Sequence, residues 1–360
     1  MVRQRRFLIF LSLIFLTTVS LRADDIDDYI RNEIQSQHIP GVAIAVIRNG
    51  TVLKTEAYGL ANIENGIPVT TGTVFQIGSL SKQFIATGVV LLVQDRKINL
   101  DDKVNKYLAG APRTWDAITV RHLLTHTSGL IREGPGFDPY KVQPDIEVIR
   151  SAYPNSLLFK PGEKHEYSNL GYYVLAEIIR IASGKPWSEF LKERVFDPLG
   201  MTATRTTSVT DIVANRANGY VWNSNKFENS EHWTALRPSG AFMTTVLDLT
   251  KWEAALHTDR ILTSSSKAEM WSWVKLNNGS EFPYGFGWQL NDWPADSQKR
   301  TGVPMIRHGG TIPGFRASLA MWPSQGLSVI ALTNRNEANI DGIIANIAVR
   351  AVPQLRTTGN

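Results

Sequence analysis

Between Gly41 and Gly59 the chain reads GVAIAVIRNGTVLKTEAYG, two β-rich runs separated by Asn49-Gly50. Asn-Gly tolerates the positive φ of a two-residue hairpin loop, so the stretch predicts a β-hairpin. Near the other end, GFGWQL, FRASLAMWP and LSVIALTN are three more strand-like runs, the last two joined through Ser324-Gln325-Gly326. Apolar positions recur at helical spacing in DIDDYIRNEIQSQ, before the first group, and in IDGIIANIAVRAV, after the second. From about residue 86 to 270 the pattern changes. Helical runs such as YYVLAEIIRIA and VLDLTKWEAAL alternate with Gly/Pro loops such as EGPGFDPYKVQP. The economical architecture is α/β (α+β): an antiparallel sheet made from both chain ends and flanked by helices, with a mostly helical region inserted. The expected division is 24–85 plus 271–360 for the sheet domain and 86–270 for the helical domain, with a site in the cleft between them.

The first residues change the reading of charge and destination. Arg3, Arg5 and Arg6 precede the apolar run Phe7 to Leu16, and small Ala23 precedes the acidic pair Asp24-Asp25. That is the layout of an export signal, residues 1–23, and the run is short of the roughly 20 residues a spanning helix needs. The expected product starts near Asp24 and is periplasmic or secreted, with no stable membrane anchor. The chain has no cysteine, which excludes disulfides and a lipid-modified cysteine; at 360 residues the core suffices without them. The pI of about 9.3 suggests nucleic acid, but residues 1–23 carry four arginines and no acid, so their removal takes the net charge from +5 to +1. The remaining charges are interspersed, and no nucleic-acid partner is expected.

Candidate chemistry begins at Ser79-Leu80-Ser81-Lys82. Ser-x-x-Lys occurs by chance roughly once in a chain this long. A second copy, Ser264-Ser265-Ser266-Lys267, lies in the polar stretch LTSSSKAEMW and reads as a serine cap on a surface helix. The copy at Ser79 follows an apolar run and heads an apolar helix. There, backbone N–H groups favour developing negative charge, and Lys82, three residues on, can take the hydroxyl proton. Desolvation beside an apolar helix lowers the pKa of such a lysine toward that of a working base. Tyr167-Ser168-Asn169 follows a Pro-Gly turn and precedes a buried helix, a place from which a loop aims side chains into a cleft. Its phenol can shuttle a proton, and Asn169 can hold the lysine and a substrate carbonyl. Tyr153-Pro154-Asn155 has the same spacing but reads as a turn. His308-Gly309-Gly310 precedes a strand, where glycines let the backbone pass close to a ligand, and the Thr311 N–H could serve as an oxyanion donor opposite that of Ser79.

Ser79-x-x-Lys82, Tyr167-x-Asn169 and His308-Gly309-Gly310, in that order, resemble the motifs of the serine β-lactamase-related hydrolases. These include class C β-lactamases, penicillin-binding D,D-peptidases, D-aminopeptidases and esterases. TVRHLLTHTSGL, FDPLGMTAT, SGAFMTTVLDLTKW, YGFGW and HGGTIPGF extend the likeness over roughly residues 40 to 335. The resemblance implies that Ser79 is acylated and Lys82 accepts its proton. It makes Tyr167 the general acid/base, Asn169 the positioner, and the N–H groups of Ser79 and Thr311 the oxyanion hole. Class C enzymes carry Lys-Thr-Gly where this chain has His308-Gly309-Gly310, which removes the lysine charge and threonine hydroxyl that would hold a β-lactam carboxylate. The implied substrates are therefore small esters, amides or short D-amino-acid peptides ahead of β-lactams, with no cofactor. The alternative is a non-catalytic ligand-sensing or scaffold member of the same fold.

Three features are weighed against that reading. His122 and His126 are spaced to share a helix face, but no third ligand accompanies them, so they read as structural groups beside the cleft and no metal is expected. Trp271, Trp273, Trp288 and Trp293 sit among apolar residues and read as packing. Arg316, just after the third motif, either meets a substrate carboxylate or serves a structural role.

Overall fold

The computed structural model describes residues 23–206, 211–233, 237–240, 242–293 and 302–356. The export segment called at 1–23 lies outside them except for Ala23. Helix α1 (Ala23–Ser36) leads into β1 (Gly41–Arg48) and β2 (Thr51–Asn62), followed by the two-residue β3 (Ile67–Pro68). After the long middle region come β4 (Gln289–Trp293), β5 (Val303–Ile312), β6 (Phe315–Trp322), β7 (Leu327–Thr333) and a C-terminal helix, Ile340–Ala351. These strands form one seven-stranded antiparallel sheet, ordered β4-β5-β6-β7-β1-β2-β3. The chain ends therefore meet at the β1–β7 pair in the middle of the sheet.

The anticipated hairpin is present. Asn49 and Gly50 have φ of 49° and 74°, and Arg48 pairs with Thr51. Both positive angles match the twist of the flanking strands. The run GFGWQL behaves differently: the strand starts only at Gln289, because Gly287 takes φ 74° and the Phe286 N–H bonds back to Met270 O.

β1 is buried along nearly its whole length because it has helices on both faces. Alternation then sorts its side chains. Val42, Ile44 and Val46 pack with Ile26, Ile30, Ile343 and Ile347 from the terminal helices. Ala43, Ala45 and Ile47 face Leu249 and Trp252 of helix Val246–Leu256, in the large core shared with the middle region. Each fully buried Val or Ile here contributes about 1.5–3 kcal/mol relative to exposure.

In the middle region, α2 (Lys82–Gln94) and α3 (Asn169–Ser183) lie at the centre. α2 is buried on every side from Lys82 to Leu92, the expected state of a helix apolar all round. Phe84 sets the junction, meeting Phe196, Phe242 and Trp252 at centroid distances of 5.1, 5.4 and 5.2 Å. Most tryptophans are packing residues: Trp115, Trp252, Trp288 and Trp322 are almost wholly buried, and Trp271 and Trp273 pack against the core. The side chain of Trp293 lies outside the described residues. Among the described residues no helix is long and apolar enough to cross a membrane.

Candidate active site

Ser79 sits in a single 3-10 turn, Gly78–Ser81, and the α-helix begins only at Lys82. This revises the expected helix start and explains the reach of the pair, since residues i and i+3 eclipse one another in a 3-10 turn. Lys82 Nζ lies 3.3 Å from Ser79 Oγ. It also donates to Asn169 Oδ1 at 2.7 Å and to the Ser239 carbonyl at 2.9 Å. Lys82 has no exposed surface, and burial drives its pKa well below the ordinary 10.5. The charges of Arg237 and Arg132 push the same way, and that of Glu133 opposes them.

Tyr167 and Asn169 are positioned by the cap of α3. The Ser168 hydroxyl accepts the Gly171 N–H and donates to Ile131 O at 2.8 Å, pinning the motif to the preceding loop. Tyr167 borders the same hollow as Ser79, and its ring centroid is 4.7 Å from Lys82 Nζ. Enclosure raises the Tyr167 pKa above 10, although Ser79, Arg132 and Arg237 pull it down. Asn169 is oriented from behind: its Nδ2 donates to Glu133 Oε1, which also receives Arg237 Nη2 at 2.9 Å. The Asn169 carbonyl is thereby left for the lysine.

The third motif runs along β5 directly against the 3-10 turn. A Cβ on Gly310 would stand 1.8 Å from Ile77 O and 2.8 Å from Ser79 N; one on Gly78 would stand 2.7 Å from Thr311 N. Only bare backbone allows this approach, which brings the Ser79 and Thr311 segments together. His308 is 2% exposed, with Nε2 3.0 Å from the Tyr284 hydroxyl and Nδ1 2.6 Å from Gly309 O. Burial and then the Lys82 charge push its pKa down to about 3, so the ring is neutral.

Two hollows flank Ser79, and both are bordered by Arg132 and Thr311. One, of about 540 Å³, adds Glu133, Asn169, Glu231, Trp233 and Arg237. The other, of about 310 Å³, adds Tyr167, His308, Arg307, Arg316 and Asp341. Arg316 and Arg307 share the Asp341 carboxylate at 3.3 and 3.1 Å. Segments 132–145 and 222–233 meet beside the larger hollow, where Tyr140 donates to Glu231 at 3.0 Å and the rings of Phe137 and Trp233 lie 6.2 Å apart.

Several candidates fall elsewhere. His122 closes a capping box on Thr119, whereas His126 lies past that short helix with φ 57° and hydrogen bonds Ser168 N. The two do not converge, and among the described residues no group of three His, Cys, Asp or Glu could hold a metal. Tyr153 packs edge-on against Trp115. In the second Ser-x-x-Lys the cap is Thr263, not a serine, and Lys267 bonds Thr258 O at 2.6 Å. Glu133, Arg237, Ser239 and Tyr284 escape the sequence reading: they come from separate segments, and no spacing links them.

The electrostatics make a directional prediction. With the site histidines already neutral, kcat/KM should fall on the acid side through the lowered pKa of Lys82. Glu133→Gln should move that limb to lower pH and Arg132→Gln to higher pH; shifts of the same sign in a pH–rate profile would refute the assignment. The linked stability effect has a definite sign. The folded-state lysine pKa is below its unfolded value, so the unfolded state binds more protons, and stability rises with pH between the lowered value and 10.5.

Comparison with known proteins shows the family. The Beta-lactamase family model matches residues 26–354. Penicillin-binding protein 4* of Bacillus subtilis is 31% identical over 317 residues, covering 80% of this chain and 68% of that protein. The octameric penicillin-binding protein homologue from Pyrococcus abyssi superposes with a TM-score of 0.79 at 24% identity, covering 91% of this chain and 77% of that one. The D-amino acid amidase from Ochrobactrum anthropi, solved with L-phenylalanine amide, gives 0.75 at 26% identity, over 92% and 98%. A family match across most of the chain, on a site of this construction, makes the protein a member of the beta-lactamase family and a serine hydrolase.

Proposed function

We propose that the protein hydrolyses small esters or amides, among them D-amino-acid amides or short D-peptides, through an acyl-enzyme on Ser79, and that β-lactams are poor substrates. One observation carries the chemistry. A neutral lysine has two N–H bonds and one lone pair, and Asn169 Oδ1 and Ser239 O take both hydrogens. The lone pair is left for the Ser79 hydroxyl, 3.3 Å away. Ser79 Oγ then bonds to the substrate carbonyl carbon as its proton passes to Lys82, and the N–H groups of Ser79 and Thr311 receive the oxyanion. When the C–N or C–O bond breaks, Tyr167 hands a proton to the leaving atom. Water attacks the acyl ester by the reverse path, releasing the acid and restoring Ser79.

The substrate preference rests on the third motif. His308 is neutral and both its ring nitrogens are engaged, while Arg307 and Arg316 are shared with Asp341. Losing one charge-assisted hydrogen bond to a carboxylate costs roughly 1.5–3 kcal/mol, or about 10- to 100-fold in kcat/KM. The test is a kinetic panel of p-nitrophenyl butyrate, nitrocefin and a D-phenylalanine amide, with mass-spectrometric location of a fluorophosphonate label. The ester or the amide is expected to exceed nitrocefin by at least about tenfold. Nitrocefin leading by a wide margin would overturn the ranking, and a label on any residue but Ser79 would overturn the mechanism.

We also infer export, with processing near Asp24. N-terminal sequencing of protein from the producing cell is expected to begin there; an intact Met1 on a membrane-bound product would refute it.

A further inference from the structure

A directed chain of buried hydrogen bonds crosses beneath the cleft. His126 Nδ1 lies 3.2 Å from the Ser168 N–H, which can only donate, so this nitrogen carries no proton. The proton of neutral His126 is then on Nε2, 3.1 Å from the Tyr284 hydroxyl. At the other end His308 Nδ1 faces Gly309 O, which can only accept, so the proton is on Nδ1 and Nε2 is bare toward Tyr284. The polarity follows without choice. His126 Nε2–H donates to Tyr284, Tyr284 donates to His308, and His308 Nδ1–H donates to the Gly309 carbonyl. His126, Tyr284 and His308 are 0%, 2% and 2% exposed, so water does not substitute for a missing partner. The His126 ring lies 4.2 Å from that of Tyr167, and the chain ends two residues before Thr311.

We infer that Tyr284 is a positioning residue which, by bridging His126 and His308, holds the Gly309 peptide and hence the Thr311 N–H in register with Ser79. The inference rests on the oxyanion role proposed for Thr311. Its physical content is a coupling of two segments: the segment that carries Tyr167 is tied by the same bonds to the strand that carries the oxyanion donor. Removing the bridging hydroxyl leaves one histidine donor and one histidine acceptor unpaired in a buried site. The His308 ring then has reason to turn or exchange its tautomer, and the Gly309 carbonyl loses its partner.

Tyr284→Phe keeps the ring and removes the bridge. It should lower kcat on the ester by about tenfold while KM changes less than about twofold, because the donor it aligns matters most once charge has developed. His308→Asn retains a donor near the Gly309 carbonyl and should lose less than His308→Leu. Nitrogen-15 spectra of histidine-labelled protein should show His308 protonated on Nδ1 and His126 on Nε2, with the His308 pattern altered in Tyr284→Phe. Wild-type kcat in both Tyr284→Phe and His308→Leu, or a native His308 protonated on Nε2, would overturn the inference. Should Tyr284→Phe not fold, the His308 pair decides by the same criterion. Failure of the acyl-enzyme reading is separate: it appears as missing Ser79 label in the native protein, while the tautomer spectra report the chain regardless of turnover.

Discussion

Ser79→Ala is expected to abolish fluorophosphonate labelling and to lower kcat by about 10⁴-fold or more, because it removes the hydroxyl on which the proposed acyl ester forms. Lys82→Ala should cost about 10²-fold or more, and Tyr167→Phe a similar amount. The geometry makes the last two effects interdependent. Lys82 and Tyr167 both stand beside Ser79, and in the proposed mechanism each handles the same proton on its way to the leaving group. Once one is gone, the other has no proton path to serve, so the double variant should be little worse than the poorer single one. Burst and steady-state kinetics on p-nitrophenyl butyrate measure all four proteins. A double loss equal to the product of the single losses would show independent action. Equal labelling of native protein and Ser79→Ala would remove the acyl-enzyme altogether, leaving a sensor or scaffold role on this fold.

Gly310→Ala is expected to lower kcat by about 10²- to 10³-fold, the usual effect of losing one oxyanion donor, and to destabilise the fold as well. The added methyl would meet Ile77 O at 1.8 Å, Leu80 N at 2.7 Å and Ser79 N at 2.8 Å, all backbone atoms of the nucleophile turn. No rotamer change relieves those contacts. β5 must withdraw from the 3-10 turn, and the gap between the Ser79 and Thr311 N–H groups widens. Gly309→Ala is the matched comparison. Its Cβ meets nothing nearer than Ala317 O at 3.5 Å, an ordinary contact, so its loss should be at least about tenfold smaller. Thermal denaturation separates folding from chemistry. Comparable losses in the two variants would mean that the close approach of β5 does not align the oxyanion site.

Much of this was legible along the chain because the relevant physics is local. Period-two and helical patterning mark the strands and terminal helices, Asn49-Gly50 specifies its turn through two positive φ angles, and continuous apolar character marks β1 and α2 as buried. Ser79-x-x-Lys82 could be chosen over Ser264-x-x-Lys267, and Tyr167-x-Asn169 over Tyr153-x-Asn155, because those two sit in polar and turn contexts. The α-helix start at Lys82 and the late start of β4 were not legible, since a 3-10 turn and a glycine-rich approach to a strand leave no distinct hydrophobic period. What only the tertiary structure decided is how distant segments share one proton and one charge. The sequence presents Lys82 as a lysine; burial and the charges of Arg237 and Arg132, opposed by that of Glu133, lower its pKa, and the Ser239 carbonyl and the oriented Asn169 amide hold its nitrogen beside Ser79. Likewise Tyr284, buried between His126 and His308, has no motif of its own. Such properties depend on distance and desolvation in three dimensions, which residue order alone does not encode.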